Sequence, residues 1–314
     1  MEEKAMSVMS RRHMMRDTRF VEFADPRLKQ WAVENYGGVS GISDVKYGTV
    51  GVAGVAGELT YEQAAAVTNI VDYLQLHGKY GVQVVDLGCF QNVKKFGYNY
   101  NMNAFLANGT ERIVLPPNME ELKSTLLSLK TTKAAVVVPR TVSVLDDSAL
   151  AWTKTVTLER GNRVYRQIEN GIITDGKIVQ YIPHRANNEV IVPHGVEKIG
   201  DNVVPPNVDV LVLPPTLNYL TSRYWGGYIE QGDVIGGYVD RFPKNVVCFT
   251  KPMDLNDYGL ANSKIYVRDE WVDDFRAFFN RGYGKKENVL PLSTYPKIEE
   301  LKTKIDFELW AKKI

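Results

Sequence analysis

Four near-identical phrases in the middle of the chain limit its fold more than any other feature: RIVLPPNMEELKS, AVVVPRTVSVLDD, EVIVPHGVEKIGD and VLVLPPTLNYLTS. Each turns on a proline (Pro116, Pro139, Pro193 or Pro214) with apolar residues at fixed offsets. Three positions before it stand Ile113, Val136, Val190 and Leu211, and one before stand Leu115, Val138, Val192 and Leu213. Three after come Met119, Val142, Val196 and Leu217, and six after come Leu122, Leu145, Ile199 and Leu220. The slots before the proline have the period of two that marks one face of a short strand. Proline has no N–H for a central ladder, so it closes the strand. The later slots have the three-residue spacing of a tight helical or 3₁₀ return. A unit this short cannot bury its own apolar face, so copies must stack with all sixteen slot residues inward.

The spacing supports stacking. Pro116 and Pro139 lie 23 residues apart and Pro193 and Pro214 lie 21 apart, both within the period of a leucine-rich solenoid. Pro139 to Pro193 is 54 residues, two periods plus an insertion. The insertion reads VYRQIENGIITDGKIVQYIP, two extended runs flanking Asp175-Gly176, a two-residue hairpin signal. VTLERGNRVY looks like a worn rung, with Val156 and Leu158 in the strand slots. The predicted fold is therefore an α/β leucine-rich-repeat solenoid, right-handed, with parallel strands, one per rung.

Helical signals flank the repeats. Asp25-Pro26 is an N-cap followed by proline at the first helical position, and Leu28, Trp31 and Ala32 share a face behind it. Thr60 and Gln63 form a capping box before EQAAAV. The glycine-rich stretch between them has no GxGxxG at a strand–helix junction and no GKS or GKT, which excludes a nucleotide site of those types. At the other end, Trp271, Phe275, Phe278 and Phe279 suit a terminal cap. The tail places Ile298, Leu301, Ile305, Leu309 and Trp310 on or near one stripe of an amphipathic helix, which either packs back or engages another subunit. The expected organisation is a basic arm over 1–19, an N-terminal helical cap module over 20–75, the solenoid over 76–290 with its hairpin insertion near 164–183, and a helical tail over 291–314.

Net charge is +1, with 44% apolar and 24% charged residues, so no nucleic-acid footprint is present at the level of the whole chain. No signal peptide or membrane-spanning run is legible, and the expectation is a protein that stays in the cytosol or leaves it by assembly or lysis. Cys89 and Cys248 sit in strand-like contexts and read as buried thiols. The catalytic inventory is thin. Among His13, His77, His184 and His194 only the last two are expected to be neighbours, and no cysteine or carboxylate has metal-ligand spacing to them, so no metal site and no cofactor is expected. Asp146, Asp147, Asp175 and Asp201 lie at turns, where aspartate caps and bends the chain, and nothing marks a glycosidase pair.

Two segments stand out as contact elements. The arm carries Arg11, Arg12 and Arg16, which can pair with carboxylates of a partner, and it is either inert or a docking peptide. The stretch YWGGYIEQGDVIGGYV places Tyr224, Trp225, Tyr228 and Tyr238 among glycines, either as an adaptable recognition surface or as cover for the solenoid edge.

The proline phrases, the hairpin insertion and the ending NVVCFTKP…SKIYVRDEWVDDFRAFF resemble the BspA-like leucine-rich repeat proteins of gut Bacteroidetes and their phages. The family unit reads roughly VTIPxxVTSIGDxAFxxCxxL and its last unit ends in IYVPxxxVxxYK. Val190 to Asp201 follows the first, and Ile265 to Phe275 follows the second with Arg268 where proline is usual. The AFxxC part is mostly missing. The resemblance spans about residues 80–290 and is specific in 168–201 and 246–275. The N-terminal segment resembles a module that often carries a calcium loop, but here only Asn35 and Glu58 remain of its ligands, so no calcium site is expected. The resemblance implies a non-enzymatic, virion-associated structural or receptor-binding protein of a phage or prophage. Its partners would be other virion or surface proteins, with a host-surface protein or glycan as target, no nucleic acid, no membrane insertion, and termini available for oligomer contacts. The alternatives are an adhesin-type or intracellular protein-interaction module at the cell surface or in the cytoplasm and, behind it, a glycan-cleaving enzyme.

Overall fold

The computed structural model describes residues 20–36, 58–70, 81–96, 111–123, 135–146, 149–150, 153–168, 170–183, 189–200, 203–205, 208–220, 228–230, 233–235, 243–250, 263–279 and 285–311. The chain divides into two compact units, Met1–Leu145 with Thr155–Arg163, and Asp146–Lys154 with Val164–Ile314.

The first unit opens with helix α1 (Pro26–Tyr36), which buries Leu28, Trp31, Ala32 and Tyr36. Trp31, Tyr36 and Phe90 meet edge to face, with ring centroids 5.4–6.2 Å apart. Asp25 does more than cap this helix. One carboxylate oxygen accepts the Arg27 N–H at 2.9 Å, and the other accepts the N–H groups of Gln83 and Val84 at 2.8 and 3.2 Å. It thereby satisfies backbone donors beside the first strand, whose edge would otherwise be open. Helix α2 (Tyr61–Ala66) starts with the reciprocal Thr60–Gln63 capping box. The strands are β1 (Val84–Asp86), β2 (Arg112–Val114), β3 (Glu121–Leu122), β4 (Ala135–Val138), β5 (Val144–Leu145) and β6 (Thr155–Leu158). The sheet β1-β2-β4-β6 is parallel throughout, and a second parallel pair, β3-β5, lies on the return side of the rungs.

In the second unit, β7 (Arg166–Gln167), β8 (Ile173–Thr174) and β9 (Ile178–Tyr181) form the antiparallel insertion. Its tip is a three-residue loop, Asp175–Lys177, rather than a two-residue turn. Asp175 accepts the N–H groups of Lys177 and Ile178, and Gly176 takes φ +103°, which suits only glycine without strain. The parallel ladder follows: β10 (Glu189–Ile191), β12 (Val210–Leu213), β16 (Asn245–Cys248), β17 (Lys264–Val267) and β18 (Val289–Pro291). On the return side, β11 (Lys198–Ile199) pairs with β9 and with β13 (Tyr219–Leu220). β14 (Tyr228–Glu230) and β15 (Asp233–Ile235) form an antiparallel ribbon. Helix α3 (Val272–Phe279) precedes β18, and two short helices, α4 (Ile298–Lys304) and α5 (Phe307–Ala311), end the described chain.

Register follows the repeat. Val190, Leu211, Val246, Ile265 and Val289 form one column across the ladder, and Val85, Ile113, Val136 and Val156 form another in the first unit. The slot side chains are buried in both units; Leu220 lies on β13, and its side chain is outside the described set. The return opens with the 3₁₀-type bond that the three-residue spacing suggests but does not continue as a helix. In each phrase the proline carbonyl accepts the N–H three residues on (Met119, Val142, Val196 or Leu217) at 3.1–3.3 Å. That single turn is followed by a two-residue strand, because the neighbouring rung supplies carbonyls to N–H groups that a lone helical turn would leave orphaned.

Stacking is also polar. Thr141 donates to the carbonyl of Met119 at 2.7 Å, and Asn162 donates to that of Val142 at 2.8 Å. Thr216 donates to Val196 and Thr250 to Leu217, both at 2.7 Å. Each acceptor is the third residue after a proline, so the turn of one rung is closed by a side chain of the next.

Candidate functional site

The central ladder strands of the second unit, β12, β16 and β17, are buried on both faces. The slot residues and their neighbours, among them Val192, Leu213, Cys248 and Val267, fill the interior with Phe275 and Val289. The intervening residues, Val212, Val247, Tyr266 and the half-buried Ile191, Val210 and Leu290, face the other way and would form an apolar outer surface. The tail covers them.

Leu292, Tyr295, Leu301 and Trp310 are buried against that face, with Ile298, Ile305 and Phe307 packed beside them. Phe249 is the anchor. It meets Trp310 edge to face at 5.3 Å and Phe307 at 5.6 Å, while Tyr266 meets Tyr295 at 4.9 Å. Edge-to-face pairs of this kind add about 0.5–1.5 kcal/mol each to the burial of their rings. Of the two tail outcomes, packing back is the one realised, and as two helices rather than one. Ile305 is extended, and Asp306 restarts the chain by accepting the Leu309 N–H at 3.0 Å. The break turns Leu309 outward, 40% exposed, so it does not share the stripe.

Beside α4 the cover stops short and leaves an open groove of about 640 Å³. Ile191 and Val210 supply its apolar floor, and Glu189, Asp209, Asn170, Lys297, Glu300 and Lys304 surround them. Lys304 clasps the tail to the sheet. Its ammonium lies 2.8 Å from Glu189 and 2.6 Å from Glu300. Hydrogen bonds to Glu189 and Glu300 hold its pKa above the ordinary lysine value, and the bond to Lys304 in turn lowers that of Glu300. Asp209 is paired with Lys244 at 2.9 Å. Burial raises both Tyr266 and Tyr295, so their hydroxyls stay neutral at physiological pH. The groove can take a chain with an apolar edge and a cationic group; it assembles no nucleophile–base pair.

Of the residues singled out in the sequence, Arg11, Arg12, Arg16, Tyr224, Trp225 and Tyr238 lie outside the described residues, as do His13, His77 and His184. Tyr228 begins β14, its backbone paired with Ile235. His194 is exposed and lies 6.2 Å from the Trp310 ring. Cys248 is buried but Cys89 only half-buried, and burial pushes both thiols up to about 12, which leaves them inert as nucleophiles. Among the described residues no group of three or more His, Cys, Asp or Glu could hold a metal ion. No helix among them is long and apolar enough to cross a membrane. The groove was not anticipated from sequence. Its signal was the unbroken apolar character of VLVL and NVVCF, which marks a strand buried on both faces.

No family model matches the chain, and no curated protein does. Among solved structures it is similar to the pneumococcal vaccine antigen PcpA, at 13% identity and a TM-score of 0.35, over 73% of this chain and 76% of that one. It is also similar to a leucine-rich repeat protein from Eubacterium ventriosum, at 14% identity and a TM-score of 0.32, over 65% of this chain and 60% of that one. With one parallel strand per rung, a second ladder on the return side and slots in register, each unit is a solenoid of the leucine-rich-repeat type.

Proposed function

We propose that the chain is a non-enzymatic interaction scaffold, and specifically a virion-associated structural or receptor-binding protein of a Bacteroidetes phage or prophage. The observation that carries the scaffold reading is the β14–β15 ribbon. It pairs only with itself among the described residues, between return strand β13 and ladder strand β16. A two-stranded ribbon is marginal alone in water, and this one sits in the segment that also holds Tyr224, Trp225 and Tyr238. Aromatic side chains give large contact area at low entropy cost, which suits recognition of a host-surface protein or glycan. The virion assignment draws on the resemblance of the hairpin insertion and of the ending, and on the arginine-rich arm as a docking peptide.

Particles purified from the producing culture on a density gradient should contain the chain by mass spectrometry. Deleting residues 1–16 should leave the melting temperature unchanged and remove the protein from the particles. Trp225→Ala with Tyr228→Ala should spare incorporation and weaken attachment of the particles to host cells. Absence from particles refutes the virion role. A double variant that loses most of its stability assigns the ribbon to packing and refutes recognition through it.

A further inference from the structure

As in any helical segment, the tail's attachment to the sheet rests on side chains. Among the described residues, the backbone hydrogen bonds of 295–311 close within the tail itself, as in Leu301 N–H to Lys297, Ile305 N–H to Leu301 and Trp310 N–H to Asp306. Among the described residues, 295–311 has one polar side-chain link to the sheet, the ion pair Lys304–Glu189 at 2.8 Å, and the Ser293 N–H donates to Asp269 at 3.0 Å just ahead of it. What remains is apolar and aromatic burial on Val212, Val247, Phe249 and Tyr266. Such contacts are non-directional. A surface that binds a helix through side chains can take another helix that presents the same apolar anchors at i, i+3 and i+4.

Two further observations bear on exchange. The groove beside α4 leaves Ile191 and Val210 within reach, so an incoming helix has an apolar foothold before the tail departs. On the rim of that foothold Glu189 is neutralised by Lys304 of the tail, so a helix that replaces the tail must bring a cation to the same place, while Asp209 keeps its own partner Lys244. We propose that the outer face of the C-terminal ladder is a docking surface for an amphipathic helix of a partner protein, with residues 295–311 as its resting occupant, displaced on binding. The fitting partner presents leucine and aromatic residues at helical i, i+3 and i+4 spacing, with a lysine or arginine placed to meet Glu189. The assignment uses none of residues 224–240, so the two stand or fall independently.

Two experiments on the full chain test it. In hydrogen exchange, the amides of Leu301 and Trp310 should exchange at least about tenfold faster than those of β16 and β17, because the tail opens without the ladder. Exchange of tail and ladder together would make the tail fixed core and overturn the proposal. In the second, a fluorescein-labelled peptide of residues 291–314 is added in trans and followed by anisotropy. Lys304→Glu, which sets a carboxylate against Glu189 and Glu300, should bind the peptide at least about tenfold tighter than the unaltered chain, with ladder protection retained. Trp310→Ala is the second opened form and should behave alike. If tail amides exchange freely in both variants and neither binds the peptide, the face is not a docking surface. Concentration-dependent dimers of the unaltered chain, formed by tail exchange, would make a second copy the occupant and overturn the partner reading.

Discussion

Thr250 offers the cleanest measure of what joins one rung to the next. Its side-chain hydroxyl donates to the Leu217 carbonyl at 2.7 Å, with Thr250 7% and Leu217 1% exposed. Thr250→Val keeps the side-chain shape and removes only this donor. The carbonyl left behind cannot reach water, and orphaning a buried acceptor costs about 1–3 kcal/mol. The new methyl group returns up to about 0.8 kcal/mol if it is fully buried. With the methyl fully buried the net loss spans about 0.2–2.2 kcal/mol and centres near 1.2, or roughly eightfold in the opening equilibrium. With two compact units, a melting temperature does not localise a loss confined to one rung. Hydrogen exchange of β12 and β16 peptides reads the affected ladder directly, and those amides should exchange faster by that factor. Thr294 is the control. It makes a bond of the same kind, to the Pro291 carbonyl at 2.6 Å, but at the surface. Water replaces the donor there, so Thr294→Val should move ladder exchange less than about twofold. Equal effects from the two substitutions, or no effect from Thr250→Val, would refute the claim that buried side-chain donors close the turns.

Val192 is fully buried, so Val192→Asp should lose the cooperative melt of the second unit or hold the carboxyl neutral well above its usual range; a melt identical to the unaltered chain sinks the inward placement of that slot. Adding millimolar calcium or excess chelator should leave the melting temperature alone, and a rise of several degrees with calcium would reveal a site by linkage. Burial acts to raise the pKa of Asp25, but the N–H groups of Gln83, Arg27 and Val84 outweigh it and lower the value below 3.8. A lowered carboxylate contributes stability above the unfolded value and loses it as pH falls through the folded one, so protection of α1 and β1 amides should decline in acid below about pH 4. Asp25→Asn should abolish that limb; an unchanged acid profile would count against the tether.

The inward strands were legible because two independent signals coincide in each phrase, a period of two and a proline that ends it. Register then follows, since the same slot can only stack on itself without turning the apolar set outward. The return was harder. A spacing of three fits both a 3₁₀ turn and a turn followed by an extended pair, and the deciding partner sits one rung away, 23 residues off in the case of Leu122 and Leu145. Local periodicity does not contain it. Thr141, Asn162, Thr216 and Thr250 read as ordinary turn residues for the same reason. A hydroxyl or amide two positions after the proline in three of the four phrases (Asn118, Thr141, Thr216) was the available clue. Leu309 departs from the expected stripe because the helix restarts at Asp306, and aspartate ahead of Phe307 is a helix-start signal in its own right.

The two ladders also differ in a way that the strands themselves record. In the first unit the position just after the inward column is held by Asp86, Val114, Val137 and Thr157, none of them buried and two of them polar. In the second, Val212, Val247 and Tyr266 occupy the corresponding outward positions and are buried. Bare to water, such a face would be an aggregation liability and a binding site at once. A cover is therefore implied by the strands before any tail is considered, and the tail supplies it with Leu301, Phe307 and Trp310. Yet a cover needed only to hide apolar surface has no reason to stop beside Ile191 and Val210 with a lysine clasped to the rim. An edge left open next to an otherwise closed face is the place where a competing helix gains its first contacts, and exchange at the tail would begin there.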